Sequence, residues 1–113
     1  MEAPLQPLRL LPGWKITFNS LFEIDPAADQ IPANHHSWFL KEDMLQAEHQ
    51  DRDRLLDVGW YPDGDLDRGE YALHVHQGDW VTERLLHEFR TRNRQSLVAE
   101  IERIFAAITE GRL

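Results

Sequence analysis

Residues 55–76, LLDVGWYPDGDLDRGEYALHVH, decide the fold because they contain two runs in which apolar and polar residues alternate. A period of two indicates strands with one buried face. The intervening residues 62–69 are rich in Asp and Gly and begin with Pro, a composition that forms turns. The segment therefore predicts an antiparallel β-hairpin. Its apolar positions are Leu56, Val58 and Trp60 in the first strand and Tyr71, Leu73 and Val75 in the second.

The register of this hairpin follows from its two apolar faces. Both faces must point to the same core, and a slip of one residue would turn one strand over. The numbers of paired residues must then sum to an odd value. A sum near 131 pairs Val58 with Leu73 and Asp57 with His74. Registers shifted by two residues would move the partner of Asp57 to Ala72 or to His76.

Further extended segments are expected on both sides of the hairpin. Trp14, Ile16 and Phe18 alternate with polar neighbours and predict a strand near the N-terminus. Residues 82–90 predict another extended segment, which carries three apolar side chains. Together with the hairpin, these segments favour a mostly antiparallel sheet.

Residues 37–54 allow two interpretations. Trp38, Leu40 and Met44 share one parity, which favours a strand over residues 37–45 followed by a polar turn. A helix over residues 41–54 is the alternative. In the strand interpretation Trp38 has the parity of a core residue, as do Trp14 and Trp60, and all three are predicted to be buried.

The C-terminal residues predict an amphipathic helix. Asn93 is a suitable N-cap and Gly111 a suitable stop. Such a helix is stabilised by laying its apolar stripe on the sheet. We therefore predict an α+β fold in a single domain over residues 1–113: residues 12–90 form a mostly antiparallel, twisted β-sheet, and a helix over residues 93–110 packs on one face. The apolar stripe consists of Leu97, Val98, Ile101, Ile104, Phe105 and Ile108.

Composition restricts the function classes. The chain has 113 residues and a net charge of −8, which argues against nucleic acid as a partner. The acidic residues are concentrated between Glu23 and Glu83, whereas the last thirty residues carry six Arg. The absence of Cys excludes disulfides, thiolate metal sites and a Cys nucleophile. No signal peptide and no membrane-spanning apolar segment is recognisable, so a soluble, cytoplasmic protein is expected, with no membrane partner.

Histidines provide the only candidate for catalysis. His74 and His76 lie two residues apart on a predicted strand and so point to the same face. With Glu70 or Asp57 they could form a three-ligand metal site of a metal-dependent hydrolase. The simpler interpretation is a solvated face on which Asp57 and His74 form a cross-strand polar pair. No spacing typical of a metalloenzyme is present, so no cofactor and no catalytic residues are assigned.

Four short motifs resemble small bacterial immunity proteins of polymorphic-toxin systems. They are also similar to uncharacterised cytosolic bacterial proteins of this size, and the resemblance spans residues 11–80. It implies a protein that neutralises a partner toxin, and it transfers no residue roles. The motifs are Leu11-Pro12-Gly13-Trp14-Lys15-Ile16, Trp38-Phe39-Leu40-Lys41-Glu42-Asp43, Leu56-Asp57-Val58-Gly59-Trp60-Tyr61-Pro62 and Gly78-Asp79-Trp80.

The leading hypothesis is a non-catalytic acidic binding protein, an immunity protein whose partner is a basic protein such as a nuclease toxin. Asp63, Asp65 and Asp67 in the hairpin loop are the preferred contacts, because exposed loops often carry binding. Asp79 and Trp80, at the far end of the second strand, are the other candidates; packing of Trp80 under the helix is the alternative. A cytosolic adaptor subunit and the metal-dependent hydrolase are the competing functions.

Overall fold

The predicted hairpin forms the centre of a five-stranded antiparallel sheet in a computed structural model, which describes residues 2–26, 28–78 and 84–113. The strands lie in the sheet in chain order, each antiparallel to its neighbours. The α+β prediction is confirmed. The elements are β1 (Trp14–Asn19), α1 (His36–Phe39), β2 (Leu45–His49), β3 (Arg54–Tyr61), β4 (Glu70–Gln77), β5 (Arg84–Thr91) and α2 (Arg94–Thr109), with short 3-10 turns at Ala33–His35 and Gln50–Arg52.

The hairpin has the predicted register. Val58 pairs with Leu73 and Asp57 with His74. The apolar sets of both strands are buried on the same side, which is the condition from which the register was predicted. The pairing therefore follows from burial of one face.

The strand predicted over residues 37–45 and the alternative helix over residues 41–54 are both wrong, whereas the polar turn predicted after the strand is present at Gln50–Arg52. A single helical turn, α1, occupies His36–Phe39, and the strand begins only at Leu45. The residues after β2 form a 3-10 turn, in which the Arg52 backbone N–H donates to His49 Nδ1 at 3.3 Å. A helical turn breaks the alternation of sides that a strand would impose. Phe39 is consequently buried, while Trp38 is 60% exposed and is not a core residue.

Helix α2 begins and ends as its sequence predicts. Asn93 Oδ1 accepts a hydrogen bond from the Ser96 backbone N–H at 2.8 Å, and Gly111 follows the helix with a φ of +76°. The apolar stripe packs on one face of the sheet, where Trp14 Nε1 donates to the Phe105 carbonyl at 3.2 Å. No helix in the described ranges combines the length and apolar character needed to cross a membrane.

Candidate functional site

The face of the sheet opposite α2 carries a row of polar side chains, which we call the open face. The row runs across four strands, and each of its residues pairs with the next one on the neighbouring strand. It consists of Gln46, Asp57, His74 and Glu88. His74 Nε2 lies 3.2 Å from Glu88 Oε2, and Arg90 Nε donates to Glu88 Oε1 at 2.8 Å. The Arg90 hydrogen bond is the main reason that the pKa of Glu88 is lowered. The open face is thus a network of cross-strand charge pairs.

The residues of the hypothetical metal site are spread over this network. The His74 and His76 ring centroids are 6.2 Å apart, and Glu70 Oε1 lies 3.6 Å from Arg90 Nη1. Asp57 lies opposite His74, as the register predicts. Within residues 2–26, 28–78 and 84–113, no group of three or more His, Asp or Glu side chains has an arrangement that could hold a metal ion. The described geometry therefore gives the hydrolase hypothesis no support.

A cluster of carboxylates lies where β2 begins and β3 ends. Asp63 Oδ1 accepts a hydrogen bond from the Glu42 backbone N–H at 2.9 Å, and the Tyr61 hydroxyl donates to the Glu42 carbonyl at 3.3 Å. The Glu42 carbonyl lies so close to Gly59 that a Cβ there would be 1.8 Å from its oxygen. Glycine at this position therefore leaves room for the segment before β2, which lies alongside β3: the Trp60 backbone N–H donates to the Lys41 carbonyl at 2.7 Å, and the Met44 backbone N–H donates to the Val58 carbonyl at 2.9 Å.

The electrostatics of Tyr61 show how close these carboxylates are. Burial is the largest cause that raises the pKa of the Tyr61 hydroxyl, and the negative charges of Asp57, Glu42 and Asp43 raise the pKa further. Arg90 acts in the opposite direction and lowers it. Carboxylates from two separate segments of the chain thus act on one phenol, which makes this end of the sheet electronegative.

One exposed aromatic side chain borders the same cluster: Phe18 is 43% exposed. Trp38 is 60% exposed and lines a separate depression with Phe22 and Phe39. The Gly64 backbone N–H donates to the Leu40 carbonyl at 2.7 Å, which holds the β3–β4 loop against the end of α1. A shallow depression of about 510 Å³ lies here, lined by Phe18, Ser37, Lys41, Glu42, Asp43 and Asp63. We name the side chains of Phe18, Glu42, Asp43 and Asp63 the α1 surface.

The residues predicted to contact a partner have different environments. Asp63 belongs to the α1 surface, and Asp67 is exposed. Asp65 is occupied within its own loop, because its carboxylate accepts from the backbone N–H and from Nε of Arg68 at 2.9 and 2.7 Å. The backbone hydrogen bond is the largest cause that lowers the pKa of Asp65. Asp79 and Trp80 lie outside the described residues.

Sequence reasoning did not assign Trp38, Phe18, Glu42 or Asp43 to a site. Trp38 and Phe18 were predicted to alternate into the core, and Glu42 and Asp43 looked like adjacent residues on opposite faces of a strand. The available signal was the pair of adjacent acids at residues 42 and 43. No protein-family model, curated protein or solved structure matches this chain.

Proposed function

We propose that this protein is an acidic binding protein that neutralises a basic partner protein, and that the partner is a toxin. The observation that carries the proposal is the α1 surface, where the exposed Phe18 ring borders a cluster of carboxylates. Exposed aromatic groups beside charges are typical of binding hot spots. The resemblance to immunity proteins supplies the class of partner.

The distribution of charge supports a basic partner. The acidic part of the sequence, between Glu23 and Glu83, contains β2, β3, β4 and their loops. The Arg-rich part forms β5 and α2, and two of its cations are paired within the chain: Arg94 Nε with Asp25 Oδ1 at 2.7 Å, and Arg103 with Glu100. The depression at the α1 surface is lined by three carboxylates and by one cation, Lys41.

A nuclease toxin is the kind of basic partner that this surface fits. A protein that holds nucleic acid needs Lys and Arg to bind phosphates. An inhibitor that presents carboxylates to that basic surface is steered to it rapidly and repels the competing phosphates. Neutralisation in the cytoplasm is then expected, because that is where a nuclease toxin meets its substrate.

The direct test is co-expression with the product of the neighbouring gene. We expect the two proteins to copurify and the toxicity of the neighbour to be suppressed. The double variant Glu42→Lys/Asp43→Lys should weaken the complex at least about tenfold, since like charges placed across an interface cost several kcal/mol.

The matched control is Asp51→Lys/Glu110→Lys, which changes the net charge equally at two exposed positions. Asp51 follows the other end of β2, and Glu110 follows α2. The control should bind like the wild type. Equal weakening by both double variants, or a neighbour that is neither bound nor neutralised, would contradict the proposal.

A further inference from the structure

Strand β5 is one edge of the sheet, and its outer side has no partner strand among the described residues. The strand spans Arg84–Thr91 and contains neither Pro nor Lys, the residues with which edge strands often prevent further pairing. Its pairing with β4 is irregular only near Leu86, and residues 87–91 pair without interruption. Residues 87–91 therefore form a regular edge whose outward N–H and C=O groups can pair with another strand.

The opposite edge of the sheet is less suitable for pairing. Strand β1 spans Trp14–Asn19, and its register with β2 shifts between Ile16 and Phe18. This bulge divides β1 into residues 14–16 and 18–19, and a bulge disrupts the pairing of a strand. An additional strand is therefore favoured at β5.

The side chains of residues 87–91 are complementary to those of a second copy of the same segment. Glu88 and Arg90 lie on the open face, on either side of Phe89, which pairs with the buried Leu73 and lies on the helix side. A two-fold axis perpendicular to the sheet makes two such strands antiparallel and keeps both open faces on the same side. With the axis at Phe89, this ring faces its own equivalent, and Glu88 of each copy faces Arg90 of the other.

The charges select this register over its neighbours. An axis at Glu88 would place two glutamates opposite each other, and an axis at Arg90 would do the same with two arginines, which destabilises a pair of strands. An axis at His87 would bring the irregularity near Leu86 into the paired segment. Opposite charges and a regular ladder therefore occur together when the axis lies at Phe89.

The groups that a second copy would contact are accessible. Glu88 and Arg90 form a pair along β5, and their side chains remain 42% and 43% exposed, so each has room for a further opposite charge. Phe89 is half-buried at the margin of the core. The last thirty residues also carry six Arg against four acids, so two chains of net charge −8 repel each other least at this edge.

We propose that two copies of this chain associate through antiparallel pairing of their β5 strands about Phe89, which forms one sheet across both copies. Addition of a strand to an exposed edge is a common mode of recognition. The inference goes beyond the proposed function and does not depend on it. Because Phe18 of the α1 surface belongs to β1, at the opposite edge, the dimer leaves one α1 surface free on each copy.

The test is sedimentation of the full chain from micromolar to millimolar concentrations. The wild type should form a dimer as its concentration rises. Glu88→Arg places like charges opposite each other at Arg90 of the second copy, and Arg90→Glu does so at Glu88. Each variant should dimerise at least about tenfold more weakly than the wild type, because both cross-strand charge pairs become repulsive.

An equimolar mixture of Glu88→Arg and Arg90→Glu distinguishes lost complementarity from misfolding. In a mixed pair every arginine faces a glutamate, so a dimer containing one copy of each variant should form with about the wild-type affinity. Hydrogen exchange locates the contact, since amides within residues 87–91 should become protected in the wild type and in the mixture as the concentration rises. Each variant alone should lack this protection.

Glu110→Arg and Arg112→Glu are the matched controls, because Glu110 and Arg112 form an exposed pair with the same spacing near the C-terminus. Both should dimerise like the wild type. A wild-type chain that stays monomeric, a dimer that Glu88→Arg leaves unchanged, or a mixture that does not dimerise would overturn the inference. So would a monomer whose β5 amides become protected only on binding the neighbouring gene product, since that protein would then be the occupant of the edge.

Discussion

Gly59 shows how a single residue sets the position of the α1 surface. Its missing side chain leaves room for the Glu42 carbonyl, and a Cβ would lie 1.8 Å from that oxygen, a backbone atom that cannot move away by changing rotamer. We predict that Gly59→Ala lowers the free energy of unfolding by about 1–3 kcal/mol through overpacking. Chemical denaturation measures this, and a midpoint equal to that of the wild type would contradict it.

Tyr71 allows a second prediction at the scale of one residue. Its side chain is 1% exposed, and its hydroxyl has no hydrogen-bond partner among the described residues. Burial is also the main reason that its pKa is raised. Because an unpartnered buried hydroxyl is unfavourable, we expect Tyr71→Phe to be neutral or to raise the free energy of unfolding by about 1 kcal/mol.

Tyr61→Phe is the matched control for this change, since the Tyr61 hydroxyl donates to the Glu42 carbonyl. Loss of that hydrogen bond should cost about 0.5–1.5 kcal/mol. Thermal or urea unfolding of both variants gives the comparison. A larger loss in Tyr71→Phe than in Tyr61→Phe would mean that the Tyr71 hydroxyl has a partner, and the prediction would be wrong.

At the scale of the element, α2 is held to the sheet mainly by its apolar stripe. Phe105 is fully buried, and its ring lies 4.5 Å from the Trp14 ring between the centroids. We predict that Phe105→Ala lowers the free energy of unfolding by about 3–5 kcal/mol, because it removes a buried ring and leaves a cavity. Val98→Ala, on the half-buried edge of the same helix, should cost less. Similar losses for both variants in thermal unfolding would show that burial of the Phe105 ring does not dominate the contact between α2 and the sheet.

Glu100 links α2 to β5 and makes their contact sensitive to pH. Its Oε2 lies 2.8 Å from His87 Nε2, and its pKa is lowered below 4.5, first by the hydrogen bond from Arg103 and then by His87. A carboxyl whose pKa is lower in the folded state contributes stability above its unfolded pKa, and this contribution is lost as the pH falls through the folded pKa. We therefore predict that Glu100→Gln is less stable than the wild type at neutral pH.

The difference between wild type and Glu100→Gln should shrink as the pH is lowered below 4.5, the ordinary pKa of Glu. Urea unfolding over a series of pH values measures it. Glu110→Gln is the control, because Glu110 pairs with Arg112 on the exposed surface and such pairs contribute little. A difference for Glu100→Gln that stays constant down to the lowest pH would refute the linkage.

At the scale of the whole molecule, local sequence patterns predicted the features that depend on burying one face of a strand or helix, or on one side chain next to the backbone. The pairing of Asp57 with His74 and the cap at Asn93 are examples, because each follows from periodicity or from a single side chain near the backbone it serves. The α1 surface could not be predicted in the same way. It depends on the helical turn that replaces the predicted strand before β2 and on the contact between Gly64 and Leu40, which joins residues far apart in sequence. Only Asp63 of this surface was among the predicted contacts.

The net charge of −8 and the clustering of carboxylates on the α1 surface lead to a prediction for the complex as a whole. Raising the salt from about 0.05 to 0.5 M shortens the screening length from roughly 14 to 4 Å, so steering over longer distances is lost while contacts persist. The association rate with the basic partner should therefore fall at least about tenfold, with a much smaller change in the dissociation rate. Stopped-flow mixing at several salt concentrations separates the two rates.

Glu42→Lys/Asp43→Lys should flatten the salt dependence of association more than Asp51→Lys/Glu110→Lys, although both change the net charge equally. Identical slopes for the two double variants would show that net charge alone steers the partner, and that the α1 surface does not.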